Sequence, residues 1–270
     1  MNATSAVAGK TYIVTGASRG IGLAAATALV KRGARVALFG RDTEALARSA
    51  ATLGPGTHTA AFDIADRKAL LAAIEDAVGV LGGLDGLINN AGVCMASPVE
   101  QLDADEVALQ VNVNFLAPVY ACQAVIPHFR KRGGGRILNV TSASAHHMDE
   151  FSYLGIYSAT KAALERFTKE LREELKGENI GVTAFSPGGT ETSFGSGWRP
   201  EIAAAAFAEW IRRAEMFDGG LAVNDVGEAI ANCLELPPGA AFDFVELRPV
   251  KPMNRAAYAE SLYAARRDNP

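Results

Sequence analysis

Thr11-Tyr12-Ile13-Val14-Thr15-Gly16-Ala17-Ser18-Arg19-Gly20-Ile21-Gly22 is the stretch on which the reading of this chain turns. Its first five residues make a compact strand candidate, and residues 21–31 then carry Ala and Leu at helical density until Gly33 stops the run. Between them, glycines at 16, 20 and 22 form a turn in which backbone can take positive φ and come close to a ligand. A helix that starts at such a turn offers free N–H groups and a partial positive charge to a pyrophosphate. Glycines alone mark only a tight turn; the strand before them and the helix after them supply the context a dinucleotide fingerprint needs.

The same rhythm continues outward. Residues 35–39, 59–62, 86–89, 136–140 and 182–185 read as short apolar strands. Residues 44–53, 67–80, 105–129 and 156–175 between them read as helices. Strands this apolar are expected where helices cover both faces, and strand–helix alternation with short loops implies a parallel sheet with right-handed crossovers. After Pro187 the rhythm breaks. Residues 188–200 are rich in Gly, Ser and Thr; helices are expected over 201–215 and 226–236, a last strand over 242–247, and a weakly helical tail over 251–270. The expectation is one α/β domain over residues 1–270, a Rossmann-type doubly wound sheet of about seven strands, with a substrate loop at about 188–220.

Bulk properties narrow the classes. The 270 residues are 49% hydrophobic and 21% charged, ordinary for a globular chain with a large core. Net charge is −4 and no basic stripe is visible, which makes nucleic acid a poor partner. Cys94, Cys122 and Cys233 are scattered without metal spacing, which suits reduced thiols and predicts no metal site. The first nine residues lack the pattern of a signal peptide, and no uninterrupted run of about eighteen apolar residues predicts a membrane span. A cytoplasmic location is the expectation.

The glycine spacing is Gly-x-x-x-Gly-x-Gly, and with Asn89-Asn90-Ala91-Gly92 and Tyr157-Ser158-Ala159-Thr160-Lys161 downstream the chain resembles the short-chain dehydrogenase/reductase family over about residues 8–249. The resemblance implies that Gly16, Ser18, Arg19, Gly20, Ile21 and Gly22 bind a nicotinamide dinucleotide. It implies that Asp63 and Ile64 meet its adenine and that Asn90, Ala91 and Gly92 line the cleft. Pro187, Gly188, Thr190 and Thr192 are implied at the nicotinamide carboxamide. Members that use NAD place an acid at the end of the second strand to hold the ribose 2′-hydroxyl. Gly40 stands there, followed by Arg41; with Arg19, two guanidinium groups suit a 2′-phosphate, so NADP(H) is expected. Asp42 is one place too late and reads as a helix cap.

Tyr157 and Lys161 are four residues apart and share one helix face. A phenol holds its proton to about pH 10, and a nearby ammonium should lower that value. By resemblance, Tyr157 is the general acid in carbonyl reduction and the general base in alcohol oxidation, while Lys161 holds the nicotinamide ribose. Ser142, counted from the strand 136–140, is the serine that polarises the substrate carbonyl, with Ser144 as competitor. Asn114, whose register is fixed by Gln123-Ala124-Val125-Ile126-Pro127, matches the family's relay asparagine in preference to Asn112. His146 and His147 either touch substrate or lie exposed in their loop, 146–150. Gly195 and Gly197 read as hinges, Phe194 as an apolar substrate contact, and Trp198 as either a contact or a packing residue.

The expected activity is therefore hydride transfer between NADP(H) and a small ketone or secondary alcohol, by a homodimer or homotetramer packed through residues 105–129 and 156–175. The ending Asp243-Phe244-Val245-Glu246-Leu247-Arg248-Pro249 resembles a subgroup that acts on 3-oxo acids, 3-hydroxy acids and serine. The alternative reading is an NADP(H) sensor or regulator without turnover, which has no need of Asn114, Ser142, Tyr157 and Lys161 together. An isomerase or dehydratase on the same fold is a third, since fold does not fix function.

Overall fold

The computed structural model describes residues 5–147, 152–192, 195, 197–214, 216–217 and 219–257. Seven parallel strands form the sheet: β1 (Thr11–Thr15), β2 (Arg35–Gly40), β3 (His58–Ala61), β4 (Gly86–Asn89), β5 (Gly135–Val140), β6 (Ile180–Pro187) and β8 (Phe244–Leu247). Their order is β3-β2-β1-β4-β5-β6-β8, so the winding reverses between β1 and β4. That reversal leaves a crevice outside the carboxyl ends of these strands, where such sheets bind ligands. The doubly wound architecture expected from the sequence is the observed one.

Alternating side chains explain the layers. Val14, Leu38, Ile88, Leu138 and Phe185 face α1 (Gly20–Lys31), α2 (Thr43–Leu53) and α8 (Val223–Leu234). Ile13, Leu87, Ile137 and Val182 face α3 (Arg67–Leu81), α5 (Ala117–Arg132) and α6 (Gly155–Glu174). Fully burying each such Leu or Ile stabilises the fold by roughly 1.5–3 kcal/mol. Asp42 caps α2 by accepting from the Ala45 N–H at 2.9 Å, as its position predicts. At the amino ends of the strands, Asp85 accepts two hydrogen bonds from Arg132 (2.8 and 3.1 Å) and two from Thr11 (both 2.9 Å). Burial alone would raise its carboxyl's pKa, but these bonds hold it below the ordinary value.

Several boundaries differ from expectation. The helix read over 105–129 is α4 (Ala104–Val111), a π-helical turn (Asn112–Leu116) and α5. Together, Ala104–Arg132 is long and apolar enough to cross a membrane by length and composition. In this fold, however, Ala117, Ala121, Cys122, Val125 and Phe129 of that run are core residues against the sheet. The loop helix is α7 (Pro200–Arg213), and the last helix begins at Val223 instead of 226. A two-residue strand β7 (Met216–Phe217) pairs antiparallel with β9 (Met253–Asn254), tying the start of the tail back to the loop. Residues 258–270 of the expected tail lie outside the described residues.

Candidate active site

The carboxyl ends of the strands open into a cleft of about 1190 Å³. That exceeds the roughly 300–1,000 Å³ of a pocket for one small ligand, and so suits a dinucleotide beside a second molecule. Its floor is the turn between β1 and α1. Gly16 has φ +64°, and a Cβ there would sit 2.8 Å from Ala91 Cα, so only glycine fits. Arg19 occupies the N-cap of α1 without a side-chain hydrogen bond to the helix, and Gly20 and Ile21 line the cleft behind it. Asn90 locks this turn to the end of β4. Its Nδ2 donates to Thr15 O at 2.9 Å and to Gly16 O at 3.2 Å. The N–H groups of Asn90 and Ala91 both donate to Thr15 Oγ1 at 3.0 Å.

Every residue expected at a dinucleotide lines the cleft except Gly22. Gly22 stands behind the turn, where a Cβ would lie 2.5 Å from both Asn90 Nδ2 and Gly16 O. Its task is close packing of helix against turn, and it does not touch the cleft. Ser18, Arg19, Gly40 and Arg41 lie together at one end, with both arginines exposed. A third cation that the sequence reading missed, Arg48, lines the same end and makes an exposed ion pair with Glu44 at 3.6 Å. The signal was the face of α2: Ala45, Arg48, Ser49 and Thr52 recur at helical spacing and all reach the cleft. Asp63 and Ile64 follow β3, and the Asp63 carboxylate accepts from the Ala65 N–H at 3.0 Å.

The reactive side chains come from α6 and the end of β5. Tyr157 is 9% exposed and Lys161 3% exposed, on adjacent turns of α6. Lys161 Nζ donates to Val140 O at 2.8 Å and stands 5.9 Å from the Tyr157 ring centroid. The Ser142 side chain stands close enough to the Tyr157 phenol to favour its ionised form. Ser144 donates to Ser142 from its backbone N–H at 3.2 Å and from its hydroxyl at 3.0 Å. Ser142 is thus the serine at the phenol, and Ser144 stands one bond further back. Burial pushes the Tyr157 phenol above its ordinary pKa, more than the neighbouring Ser142 side chain lowers it. The expected downward pull of the lysine does not prevail in this pocket, because burial of the phenol itself raises its pKa by more; the same burial lowers the Lys161 amine to about 8.

Asn114 is fully buried and sits in the π-helical turn, a distortion often found at functional sites. Its Nδ2 donates to Val93 O at 2.8 Å and to Thr160 Oγ1 at 3.1 Å, while its Oδ1 accepts from the Val93 N–H at 2.8 Å. It braces the strand end under Tyr157 instead of lining the cleft; Asn112 is exposed. Pro187, Gly188, Thr190 and Thr192 line the cleft wall beyond β6, with Thr190 Oγ1 donating to Gly188 O at 3.0 Å.

Both loop histidines are engaged. His146 pairs with the buried Glu165, which Lys169 also contacts at 2.7 Å, and His147 Nε2 lies 2.6 Å from Glu246. Neither histidine lines the cleft. Met148, Asp149 and Glu150 of that loop, and Phe194, lie outside the described residues. Trp198 is both contact and packing residue: it lines the cleft, and its Nε1–H donates to Cys94 O at 2.7 Å. Cys94, Leu154 and Trp210, which also line this end, were missed. Trp210 was readable from the buried stripe Ile202, Ala203, Ala206, Phe207, Trp210 on α7, whereas Cys94 and Leu154 sit in loops without periodicity. All three cysteines are free and buried, and burial pushes the Cys122 thiol up to about 12 and Cys233 to about 11. Among the described residues no cluster suited to a metal ion is present.

Comparison with known proteins gives a consistent neighbourhood. The sequence model of the short chain dehydrogenase family matches residues 10–203. An uncharacterized oxidoreductase of Staphylococcus aureus (strain USA300) is 31% identical over 242 residues, covering 89% of this chain and 97% of the relative. The crystal structure of a 3-ketoacyl-(acyl-carrier-protein) reductase from Brucella melitensis complexed with NADH superposes with a TM-score of 0.77. It is 29% identical, over 90% of this chain and 98% of its own. An alcohol dehydrogenase from the archaeon Thermococcus sibiricus, complexed with 5-hydroxy-NADP, gives the same TM-score of 0.77 at 25% identity, over 89% of this chain and 97% of its own.

Proposed function

This chain belongs to the short-chain dehydrogenase family and is an oxidoreductase, and we propose that it is NADP(H)-dependent, moving a hydride between the nicotinamide ring and a ketone or secondary alcohol, with Tyr157 as acid and base. The observation that carries the reading is the convergence of phenol, hydroxyl and amine at one end of a dinucleotide-sized cleft. The Ser142 side chain acts on the Tyr157 phenol, and Lys161 stands 5.9 Å from the phenol ring.

The residues present fit a nicotinamide dinucleotide. The turn at Gly16 has no room for a Cβ, and α1 opens on the cleft without a side-chain cap, so backbone N–H groups are available to a pyrophosphate. Arg19, Arg41 and Arg48 gather where a ribose 2′-phosphate would need cations, and Gly40 puts no carboxylate in its way. The neighbour bound to 5-hydroxy-NADP supports this preference, and the one bound to NADH shows that the family uses both dinucleotides.

Bound there, the dinucleotide supplies the hydride in reduction and accepts it in oxidation. The protein's own part is proton transfer and alignment. Burial keeps Tyr157 protonated at neutral pH, so its hydroxyl can give a proton to the oxygen of a reduced carbonyl. Ser142 hydrogen-bonds the same substrate oxygen and polarises it, while Ser144 orients Ser142 through the bonds it donates. Lys161, fixed by its bond to Val140 O, has further donors for ribose hydroxyls and raises the positive potential at the phenol when charged. Asn114 holds Val93 and Thr160, and hence α6, in register.

The test is absorbance of reduced nicotinamide followed against a panel of ketones, with Tyr157→Phe as control. Oxidation of NADPH that falls by about a thousandfold or more in the variant, as loss of a general acid with its positioning predicts, supports the proposal. Dinucleotide binding with no oxidation of NADPH by any ketone and no reduction of NADP+ by any alcohol defeats it and leaves the sensor reading standing.

A further inference from the structure

The charged residues of the cleft are not spread evenly. Among the described residues that line it, Arg19, Arg41, Asp42, Arg48 and Asp63 all belong to the dinucleotide end. Lys161, the sixth, points to Val140 O. Beyond Tyr157 and Ser142 the wall is made by Cys94, Ala143, Leu154, Trp198 and Trp210, with Ser144 turned onto Ser142. The two indoles have their polar atoms engaged. Trp198 Nε1–H donates to Cys94 O at 2.7 Å and Trp210 Nε1–H donates to Ser152 O at 2.9 Å. Each side chain therefore contributes ring surface to the cleft and no hydrogen-bond donor for a carboxylate.

The wall is also rigid. Trp198 and Trp210 meet edge to face with centroids 5.8 Å apart, and Phe207 packs edge-on to Trp210 at 5.2 Å. The indole bonds fasten α7 and its approach to two separate loops of the body, one after β4 and one before α6. Leu154 is set by Tyr153, a non-glycine residue at φ +65° whose carbonyl accepts from the Ser97 N–H at 2.9 Å. Strain of this kind persists where surrounding structure fixes it, commonly at ligand sites.

Resting on the oxidoreductase reading above, we propose that this end of the cleft selects a neutral carbonyl compound whose larger substituent is an aryl or cycloalkyl ring packed against Trp198, Trp210 and Leu154, and that it rejects oxo acids. The ending Asp243–Pro249 resembles instead a subgroup that takes a 3-oxo acid, 3-hydroxy acid or serine, and the two readings make opposite demands here: a carboxylate at this wall would be desolvated, and among the described residues that line the cleft no cation other than Lys161 belongs to this end. An ammonium-bearing ketone is the rival that aromatic walls invite. It is disfavoured because no acidic side chain lines this end among the described residues.

Three ketones of similar chain decide between these: 4-phenylbutan-2-one, 4-oxopentanoate, in which a carboxylate replaces the ring, and 4-(trimethylammonio)butan-2-one, in which a cation replaces the ring. With NADPH, kcat/KM for the phenyl ketone should exceed that for the oxo acid by roughly a hundredfold or more. Trp198→Ala should lower it by roughly ten- to a hundredfold while changing acetone by less than about threefold. Should Trp198→Ala not fold, Leu154→Ala serves instead, with a roughly tenfold loss confined to the phenyl ketone. Equal or faster turnover of the oxo acid or the ammonium ketone, or an equal loss for acetone and the phenyl ketone, overturns the inference. If NADPH is oxidised by none of the three or by acetone, the oxidoreductase proposal fails separately. Quenching of indole fluorescence by the same ligands then judges the pocket: tighter binding of the phenyl ketone, weakened in the variant, upholds it, and equal or absent binding overturns it.

Discussion

Replacing Lys161 with methionine should stabilise this protein while abolishing its activity. Lys161 is 3% exposed and its amine is lowered from 10.5 to about 8, with burial as the cause and a smaller opposing pull from Cys94. The difference corresponds to about 3 kcal/mol held against the folded state whenever the amine is charged. Methionine keeps the length and packing of the stem and carries no charge. It leaves Val140 O short of the donor now at 2.8 Å, a loss of about 1 kcal/mol. A net gain of about 2 kcal/mol remains, which for a chain of this size raises Tm by about 4 °C.

The pH dependence gives the sign. Between about pH 8 and 10.5 the unfolded lysine is protonated and the folded one is not, so the unfolded state binds more protons and stability rises with pH. Below pH 8 both forms are protonated and the full penalty applies. The variant lacks this group, so its advantage is greatest at pH 7 and shrinks by about 3 kcal/mol as pH climbs through that window, until the wild type is the more stable. Urea unfolding of wild type and Lys161→Met without dinucleotide, at pH 7, 8.5 and 10, measures both quantities, and NADPH oxidation measures the activity lost. A variant no more stable than wild type at pH 7, or one whose advantage grows with pH, would show that the amine is not held against its charge by burial.

Two further outcomes follow from the same geometry. Gly40→Asp combined with Arg41→Ala should shift the ratio of kcat/KM for NADP over NAD by roughly a hundredfold toward NAD. A Cβ at residue 40 meets only Leu46 at 3.4 Å and Ser18 at 3.5 Å, so a ratio unchanged in a folded variant contradicts the assignment of these positions to the 2′-phosphate. Ser142→Ala should cost roughly a hundredfold or more in kcat, whereas Ser144→Ala, which removes one bond to Ser142, should cost less than about tenfold. The reverse order would exchange their roles.

The framework was legible because it rests on local signals. Apolar runs such as Thr11–Thr15 and 182–185 declared buried parallel strands, and the glycine turn at 16–22 declared where the crevice opens. Tyr157 and Lys161 were legible as a pair because helical spacing alone brings them together. What escaped depends on distance in the chain. The π-helical turn at Asn112–Leu116 carries no periodic mark, yet it turns Asn114 inward onto Val93 and Asn112 outward. Gly22 looked like a ligand contact until its neighbours, Asn90 and Gly16, were seen to fill the space its Cβ would need. His146 and His147 had no partners in sequence; theirs, Glu165 and Glu246, lie 19 and 99 residues away. The direction of the phenol's pKa was misjudged because a charge four residues off was counted and the burial of both groups was not.

That burial is the physical link between stability and chemistry here. It acts on Tyr157 and Lys161 in one sense, toward the uncharged form of each: the phenol keeps its proton and the amine gives one up more readily. A surface pair would do neither, and solvent would screen whatever one did to the other. Buried side by side, the two are poised so that any positive charge brought beside them favours phenolate, while the protonated phenol is the resting state. The uncharged lining continues past Ser142 into the indole-walled end, where Trp198 and Trp210 turn their N–H groups onto protein carbonyls. A substrate that brought its own charge into that end would face the penalty Lys161 now bears, without a Val140 carbonyl to ease it. The environment that keeps the acid protonated is thus also the one we propose to sort substrates by charge.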